Sequence, residues 1–143
     1  MTRAEIQTAA RRWLNVRWQH QGRTRFGIDC GGVWVKVAEE LHYAVEDLHG
    51  YSRLPDGATI DRHISRFMET KPVSQAAPGD LVLMGAALDA PCHVGFITAF
   101  RNQGLGLLHS SADLTVRKVA EHILDDHWRP AIRKCWQFRG VED

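Results

Sequence analysis

A cysteine follows an aspartate and precedes two glycines in the segment GIDCGG, residues 27–32. The next residues, VWVKVAEELHYAVEDL, have the apolar spacing of an amphipathic helix, which makes Asp29 its N-cap and places Cys30 in its first turn. Free backbone N–H groups and the helix dipole favour an anion there, so the thiolate form of Cys30 is predicted. A thiolate is a nucleophile, and the competing interpretation is a small buried cysteine.

The adjacent glycines Gly31 and Gly32 need their own explanation. Each costs the helix about 1 kcal/mol relative to alanine. Close approach of another group to the backbone is the usual reason for such a cost. Gly31 is therefore expected to leave Cys30 open to a bound molecule.

A cysteine nucleophile needs a histidine as its base and a third group to orient that histidine. His93 opens a predicted strand and His109 ends the next one. Both imidazoles share one face if the hairpin pairs odd with odd residues, which a turn at 102–104 with Gly104 in the left-handed region permits. We expect the Cys30 sulfur within about 4 Å of a ring nitrogen of His93. Solvated or structural roles are assigned to His42, His49, His63, His122 and His127.

The chain begins with helical patterns. Thr2 and Glu5 form a capping-box pattern before a helix of about 12 residues. A second helix is predicted over 30–48, ending before Gly50. A third is predicted over 59–69, with a cap at Thr59 or Asp61.

Strand patterns follow the helices. They cover 81–84, 93–100 and 105–109, with another around 131–138, while 116–129 is predicted to be partly helical around VAEHIL. Helices followed by strands indicate an α+β fold, with the N-terminal helices packed on one side of an antiparallel sheet.

Length and composition indicate one globular domain over residues 1–143, with 44% hydrophobic and 24% charged residues. The net charge of +1, with both signs interleaved, argues against a nucleic-acid partner. Three cysteines without a CxxC pattern favour free thiols. A zinc site through Cys92, His93 and His109 is disfavoured, because neighbouring strand residues point to opposite faces. No cofactor or metal is expected.

Four segments, WQHQGRTRFGIDCGGV, PGDLVLM, HVGFIT and LLHSS, occur in this order. They resemble the motifs of the NlpC-type cysteine peptidases, and HQGR…GIDC is most similar to the phage-tail branch. The resemblance implies a papain-like fold with Cys30 as nucleophile, His93 as base and His109 as the orienting residue. It also implies that the backbone N–H of Cys30 faces the oxyanion and that Asp29, Trp18 and Gly31 contact substrate. Trp18 stands where the family commonly has a tyrosine, and Gly31 where serine is frequent.

The activity implied by the resemblance is cleavage of peptide stems in bacterial peptidoglycan, typically between D-glutamate and the diamino acid. Two alternatives stay open: a structural tail-tip protein with weak or lost catalysis, and an acyltransferase on the same fold.

Delivery to the cell wall is a separate expectation. The N-terminus lacks the apolar core of a signal peptide, and no segment has the length of a membrane span. We therefore expect synthesis in the bacterial cytoplasm, assembly with other proteins of a phage tail tip or related particle, and action in the periplasm or cell wall. Helix one and the segment 128–141, with Trp128 and Trp136, are candidate contacts with the particle.

Overall fold

The computed structural model describes residues 1–53, 55–102 and 104–143. Most of the helices precede the main sheet in the chain. The elements in order are α1 (Arg3–Arg11), β1 (Arg23–Thr24), β2 (Gly27–Ile28), α2 (Cys30–Glu40), α3 (Gly57–Ile64), β3 (Glu69–Lys71), β4 (Leu81–Gly85), β5 (Cys92–Ala99), β6 (Leu105–Ser110), β7 (Val119–Ile123) and β8 (Ile132–Gln137).

The predicted capping box at the start of α1 is confirmed. The Thr2 hydroxyl accepts the Glu5 N–H at 3.1 Å, and the Glu5 carboxylate accepts the Thr2 N–H at 2.7 Å. The helix has 9 residues, shorter than predicted, and it buries Ile6, Ala9 and Ala10.

Helix α2 begins at Cys30 as predicted but ends at Glu40, so the predicted end at 48 is wrong. His42 adopts a left-handed conformation with φ of 55°. The N–H of Tyr43 then reaches the carbonyl of Ala38 at 2.8 Å, and the N–H of His42 reaches that of Glu39 at 3.1 Å. These bonds form a Schellman cap, which usually has glycine in the left-handed position. Here a histidine occupies that position, so the sequence has no glycine at the true helix end. The sequence pattern therefore indicates a later end, before Gly50.

Helix α3 is also shorter than predicted and has a different cap. Asp56 is the N-cap, and its Oδ1 accepts the Thr59 N–H at 2.7 Å, so the predicted caps Thr59 and Asp61 are wrong. The helix ends at Ile64, and Glu69–Lys71 pairs with β8 instead of extending it.

The six-stranded antiparallel sheet has the order β3-β8-β4-β5-β6-β7. The four predicted strands are confirmed as β4, β5, β6 and β8. The helix predicted around VAEHIL is wrong, because Val119–Ile123 forms β7 at the free edge of β6. Hydrogen bonding to the edge of β6 determines the conformation of this segment, and local residue propensities do not predict such long-range pairing.

The β5–β6 hairpin pairs odd with odd residues as predicted, with Ile97 opposite Leu107 and Ala99 opposite Leu105. Gly104 has φ of +89°, the left-handed conformation predicted for it. The predicted three-residue turn includes Gln103, which lies outside the described residues.

The sheet separates two apolar clusters. The larger one joins all three helices to Leu83, Val94, Phe96 and Leu108, which confirms that the helices pack on one side. The other face carries Val82, Met84, Ile97, Leu107, Leu124 and Cys135, with Trp128 packed against them. Trp136 is fully buried in the larger cluster, so the prediction that it contacts a particle is wrong.

Within the described residues, no helix combines the length and apolar character that crossing a bilayer requires.

Candidate active site

Cys30 occupies the first position of α2, where the helix start meets the beginning of β5. The Asp29 side chain caps the helix by accepting the N–H of Gly32 at 2.9 Å. The backbone N–H groups of Val94 and Gly31 lie close enough to the Cys30 sulfur to lower the pKa of the thiol. Val94 directly follows His93, so Cys30 lies against the strand that carries the predicted base. In the described ranges, no hydrogen bond joins the sulfur to the His93 ring, and the predicted approach to about 4 Å stays a prediction.

The surroundings of the Cys30 thiol oppose the predicted thiolate. Burial raises its pKa to about 11, and the neighbouring Asp29 carboxylate raises it further. The backbone N–H groups of Val94 and Gly31 act in the opposite direction without overcoming these effects. Attack by Cys30 therefore requires a base that removes the proton as the new bond forms.

The backbone N–H of Cys30 has no hydrogen-bond partner within the part of the chain described above. It lies at the positive end of the helix dipole, beside its own thiol. A donor in this position can stabilise the oxyanion that develops when the sulfur attacks a carbonyl carbon.

His93 and His109 lie on the same face of the hairpin and are joined by a hydrogen bond. The His93 Nε2 and His109 Nδ1 atoms are 2.6 Å apart. Gly95 makes room for this contact, because a Cβ at that position would lie 3.0 Å from the Cβ of His109. The other nitrogen of His109, Nε2, is 2.9 Å from Nε2 of His122 on β7.

Burial disfavours the charged form of both central histidines. Burial lowers the pKa of His93 to about 4, although the Asp29 charge opposes the shift. Burial, together with the neighbouring His93 and His122, lowers the pKa of His109 to about 2. A neutral His93 can accept a proton from the Cys30 thiol at neutral pH.

Asp29 is the centre of a buried polar cluster and has only 4% of its surface exposed. Its carboxylate accepts Arg23 Nη1 at 2.7 Å, the Gln21 N–H at 2.8 Å and the Tyr51 hydroxyl, besides capping α2. Burial and the bond to Asp29 raise the pKa of Tyr51. These contacts occupy both carboxylate oxygens, so Asp29 holds Arg23 and Tyr51 beside Cys30, and its contact with substrate stays a prediction.

A small, largely apolar cavity opens beside Cys30. Arg23, Asp47, Tyr51 and His63 contribute to its lining but present little polar surface to it. Its apolar wall includes Trp34, Val35, Leu48, Ile60, Ile64 and Val94. A bound peptide could therefore place an apolar group close to the thiol.

Trp18 lies next to the segment that leads into Cys30, with its backbone paired to Ile28. Its indole ring lies under the guanidinium of Arg117, 5.0 Å from carbon to ring centroid. Tyr51, which the sequence analysis does not single out, donates a hydrogen bond from its hydroxyl to the Asp29 carboxylate.

The two glycines after Cys30 differ in what surrounds them. A Cβ on Gly32 would lie 2.6 Å from the Gly22 carbonyl oxygen, so close backbone packing requires glycine there. A Cβ on Gly31 would have no neighbour closer than 3.8 Å. Gly31 is therefore not required for packing, and the open space at this position faces the cavity lining.

The glycine pair gives a matched prediction. We expect Gly31→Ala to raise the free energy of unfolding by up to about 1 kcal/mol, because alanine is the better helix former. Gly32→Ala is expected to lower it, because the new methyl group clashes with backbone atoms. Urea unfolding of both variants measures the difference. Equal effects of the two substitutions would contradict the different roles assigned to these glycines.

No group of three histidine, cysteine, aspartate or glutamate side chains is placed to hold a metal ion in the described residues. Cys92 points into the helix-side cluster, and its Sγ donates to the Ala87 carbonyl at 3.3 Å. His93 and His109 lie on the opposite face.

Sequence reasoning missed Arg23, Tyr51 and His122. His122 was set aside because its segment was predicted to be partly helical. Alternation of side chains along a strand at 119–123, paired so that His122 lies opposite Leu107, is the signal that points to His122. Arg23 and Tyr51 come from irregular segments, and no spacing rule links them to Asp29.

Comparison with solved structures identifies the fold. An NlpC/P60 family protein from Bacillus cereus superimposes with a TM-score of 0.71 at 15% identity, covering 96% of this chain and 40% of that one. The NlpC/p60 domain of the peptidoglycan hydrolase SagA gives 0.67 at 18% identity, covering 96% of this chain and all of that domain. NlpC1 from Trichomonas vaginalis gives 0.67 at 15% identity, covering 96% of this chain and 44% of that one.

The protein therefore has the NlpC/P60-type fold, which confirms the predicted fold class. It spans less than half the length of the Bacillus cereus and Trichomonas vaginalis chains. No protein-family model matches the sequence, and no curated protein matches it.

Proposed function

We propose that this protein is a cysteine peptidase that hydrolyses the peptide stems of peptidoglycan, with Cys30, His93 and His109 as its catalytic residues. The observation that carries the proposal is a cysteine at a helix start that packs against β5, the strand that carries one member of a hydrogen-bonded pair of histidines. The fold it shares with the NlpC/p60 domain of a peptidoglycan hydrolase supports the choice of substrate.

The reaction follows from these groups. Nδ1 of His93 takes the thiol proton while the Cys30 sulfur bonds to the carbonyl carbon, and the Cys30 N–H stabilises the oxyanion. Collapse of the tetrahedral intermediate breaks the C–N bond, and His93 gives its proton to the leaving amine. Water then attacks the thioester, His93 accepts one of its protons, and cleavage of the C–S bond releases the carboxylate product and regenerates the thiol.

Substrate binding is assigned to the surroundings of Cys30. Gly31 leaves the approach to the sulfur open, and Asp29 fixes Arg23 and Tyr51 at the cavity. Trp18 extends this surface from the adjacent segment. In this proposal Arg23, which is paired with both Asp29 and Asp47, fixes the wall of the cavity.

A defined stem peptide tests the activity. The purified protein should release a free amine from a peptide containing the D-glutamate–diamino acid bond, without added metal or cofactor. A protein that leaves the peptide intact over a wide range of enzyme concentration would not be such a peptidase.

A structural protein that keeps the fold without catalysis is the second candidate. The raised pKa of Cys30 favours it, because a protonated thiol is a weak nucleophile. Alkylation of Cys30 by iodoacetamide separates the two: the peptidase should react at neutral pH at a rate that depends on His93, while a structural cysteine should not.

The proposed setting is a phage tail tip or related particle that brings the peptidase to the cell wall. The N-terminal helix α1 and the half-buried Trp128 remain candidate contacts with neighbouring particle proteins. We expect the protein to co-purify with particles in density-gradient fractions of an infected or induced culture. If it stays entirely in the soluble lysate, the particle assignment is wrong even if the peptidase activity is found.

A further inference from the structure

The histidine pair continues into a third histidine and ends at a backbone carbonyl. Nε2 of His109 meets Nε2 of His122 at 2.9 Å, and Nδ1 of His122 meets the carbonyl oxygen of Ile123 at 2.9 Å. A chain of hydrogen bonds thus runs from His93 through the imidazoles of His109 and His122 to a carbonyl oxygen, which can only accept a hydrogen bond.

This terminal carbonyl determines where each proton lies when the three rings are neutral. His122 must donate through Nδ1, so its Nε2 is the acceptor. His109 must then donate through Nε2 and accept through Nδ1. His93 in turn donates through Nε2, which leaves its Nδ1 without a proton.

The resulting form of His93 is the one that a general base needs. Its Nδ1 lone pair takes no part in the hydrogen-bond chain, while its Nε2 bonds to Nδ1 of His109 at 2.6 Å. If His122 Nδ1 lost its partner, either nitrogen of each ring could carry the proton. Part of the population would then hold a proton on Nδ1 of His93 and could not act as base.

Packing around His122 fixes the positions of the His109 and His122 rings in the hydrogen-bond chain. On the β6–β7 ladder, His109 pairs with Ala120 and Leu107 pairs with His122, so the two imidazoles are diagonal neighbours on one face. The Trp128 indole lies against both rings, with centroids 5.1 Å from His109 and 5.5 Å from His122. This cover keeps His109 only 3% exposed, while His122 is half-buried at the outer end.

We infer that His122 is a positioning residue that sets, through His109, the ring form of His93 that accepts the Cys30 proton. The inference rests on the proposed peptidase function for its effect on catalysis. Its structural content, the proton positions on three rings, is independent of any activity.

Proton positions are measured by two-bond ¹⁵N–¹H correlation spectra of the wild-type protein at neutral pH. We expect His93 and His109 to carry the proton on Nε2 and His122 to carry it on Nδ1. A proton on Nδ1 of His93, or on Nε2 of His122, would overturn the inference without any variant.

Two variants test the effect on catalysis. His122→Leu removes the acceptor for His109, and we expect kcat to fall at least about tenfold with KM unchanged, but by less than the 10²–10⁴-fold that a whole general base contributes. His122→Gln places an amide oxygen where Nε2 was, and we expect it to recover most of kcat and the wild-type ring forms of His93 and His109. The matched control is His127→Leu, because His127 also packs on Trp128 but is exposed and outside the chain.

The outcomes separate this inference from the proposed function. If His122→Leu keeps the wild-type ring forms and kcat, or His127→Leu lowers kcat equally, the positioning role is wrong while the peptidase stands. If the wild-type protein has the expected ring forms but hydrolyses no stem peptide, the peptidase proposal is wrong and the hydrogen-bond chain is confirmed.

Discussion

Replacing Cys30 by alanine is expected to abolish hydrolysis of a peptidoglycan stem peptide and to leave the protein folded. The sulfur is the proposed nucleophile, and no other described thiol can replace it, because Cys92 and Cys135 are buried in the two clusters. Stability should change little, because alanine is a better helix former than cysteine and the site is open to the cavity. The measurements are amine release from the peptide and the melting temperature.

The control for this variant is Cys92→Ala, which removes a thiol that the reaction does not use. We expect it to keep its kcat and to lose some stability from the packing around Gly57 and Gly85. A Cys30→Ala protein that turns over normally but melts much lower would show that Cys30 is a buried structural cysteine.

Replacing His93 by glutamine is expected to lower kcat by about 10²–10⁴-fold, the contribution of a general base. We expect the reaction to depend strongly on His93, because burial raises the pKa of the Cys30 thiol to about 11 and a base must then remove its proton. Glutamine can still pair with His109, so the fold and KM should be retained. Steady-state kinetics on the stem peptide measures both constants.

The pH profile provides the second measurement of this prediction. The pKa of His93 is lowered to about 4, so the ring is neutral and active above that pH and protonated below it. Wild-type kcat/KM should therefore fall as the pH decreases through about 4, and His93→Gln should lack this step. A wild-type acid limb near pH 6.5, the ordinary histidine value, would contradict the buried neutral base.

Local patterns were sufficient to predict the start of α2 and the β5–β6 hairpin. The Asp29 cap, the helical spacing after it and the glycine turn each operate over a few residues. The odd-with-odd register followed from the turn and placed His93 and His109 on one face. The pairing of these two histidines is therefore predictable from the sequence.

The errors arose where distant parts of the chain decide the outcome. His42 ends α2 in a left-handed conformation that histidine rarely adopts, and the edge of β6 converts the segment around VAEHIL into a strand. The predicted thiolate did not take account of burial and the Asp29 charge, which both raise the pKa of Cys30. Desolvation depends on tertiary packing, which sequence spacing does not show.

The central claim, that Cys30 cleaves peptidoglycan stems, is tested most directly by mass spectrometry of purified peptidoglycan incubated with wild-type protein and with Cys30→Ala. The wild-type protein should produce new fragments that each gain one water at a stem peptide bond and carry a free amine, and Cys30→Ala should produce none. Identical spectra before and after incubation with the wild-type protein, or the same fragments from Cys30→Ala, would contradict the claim.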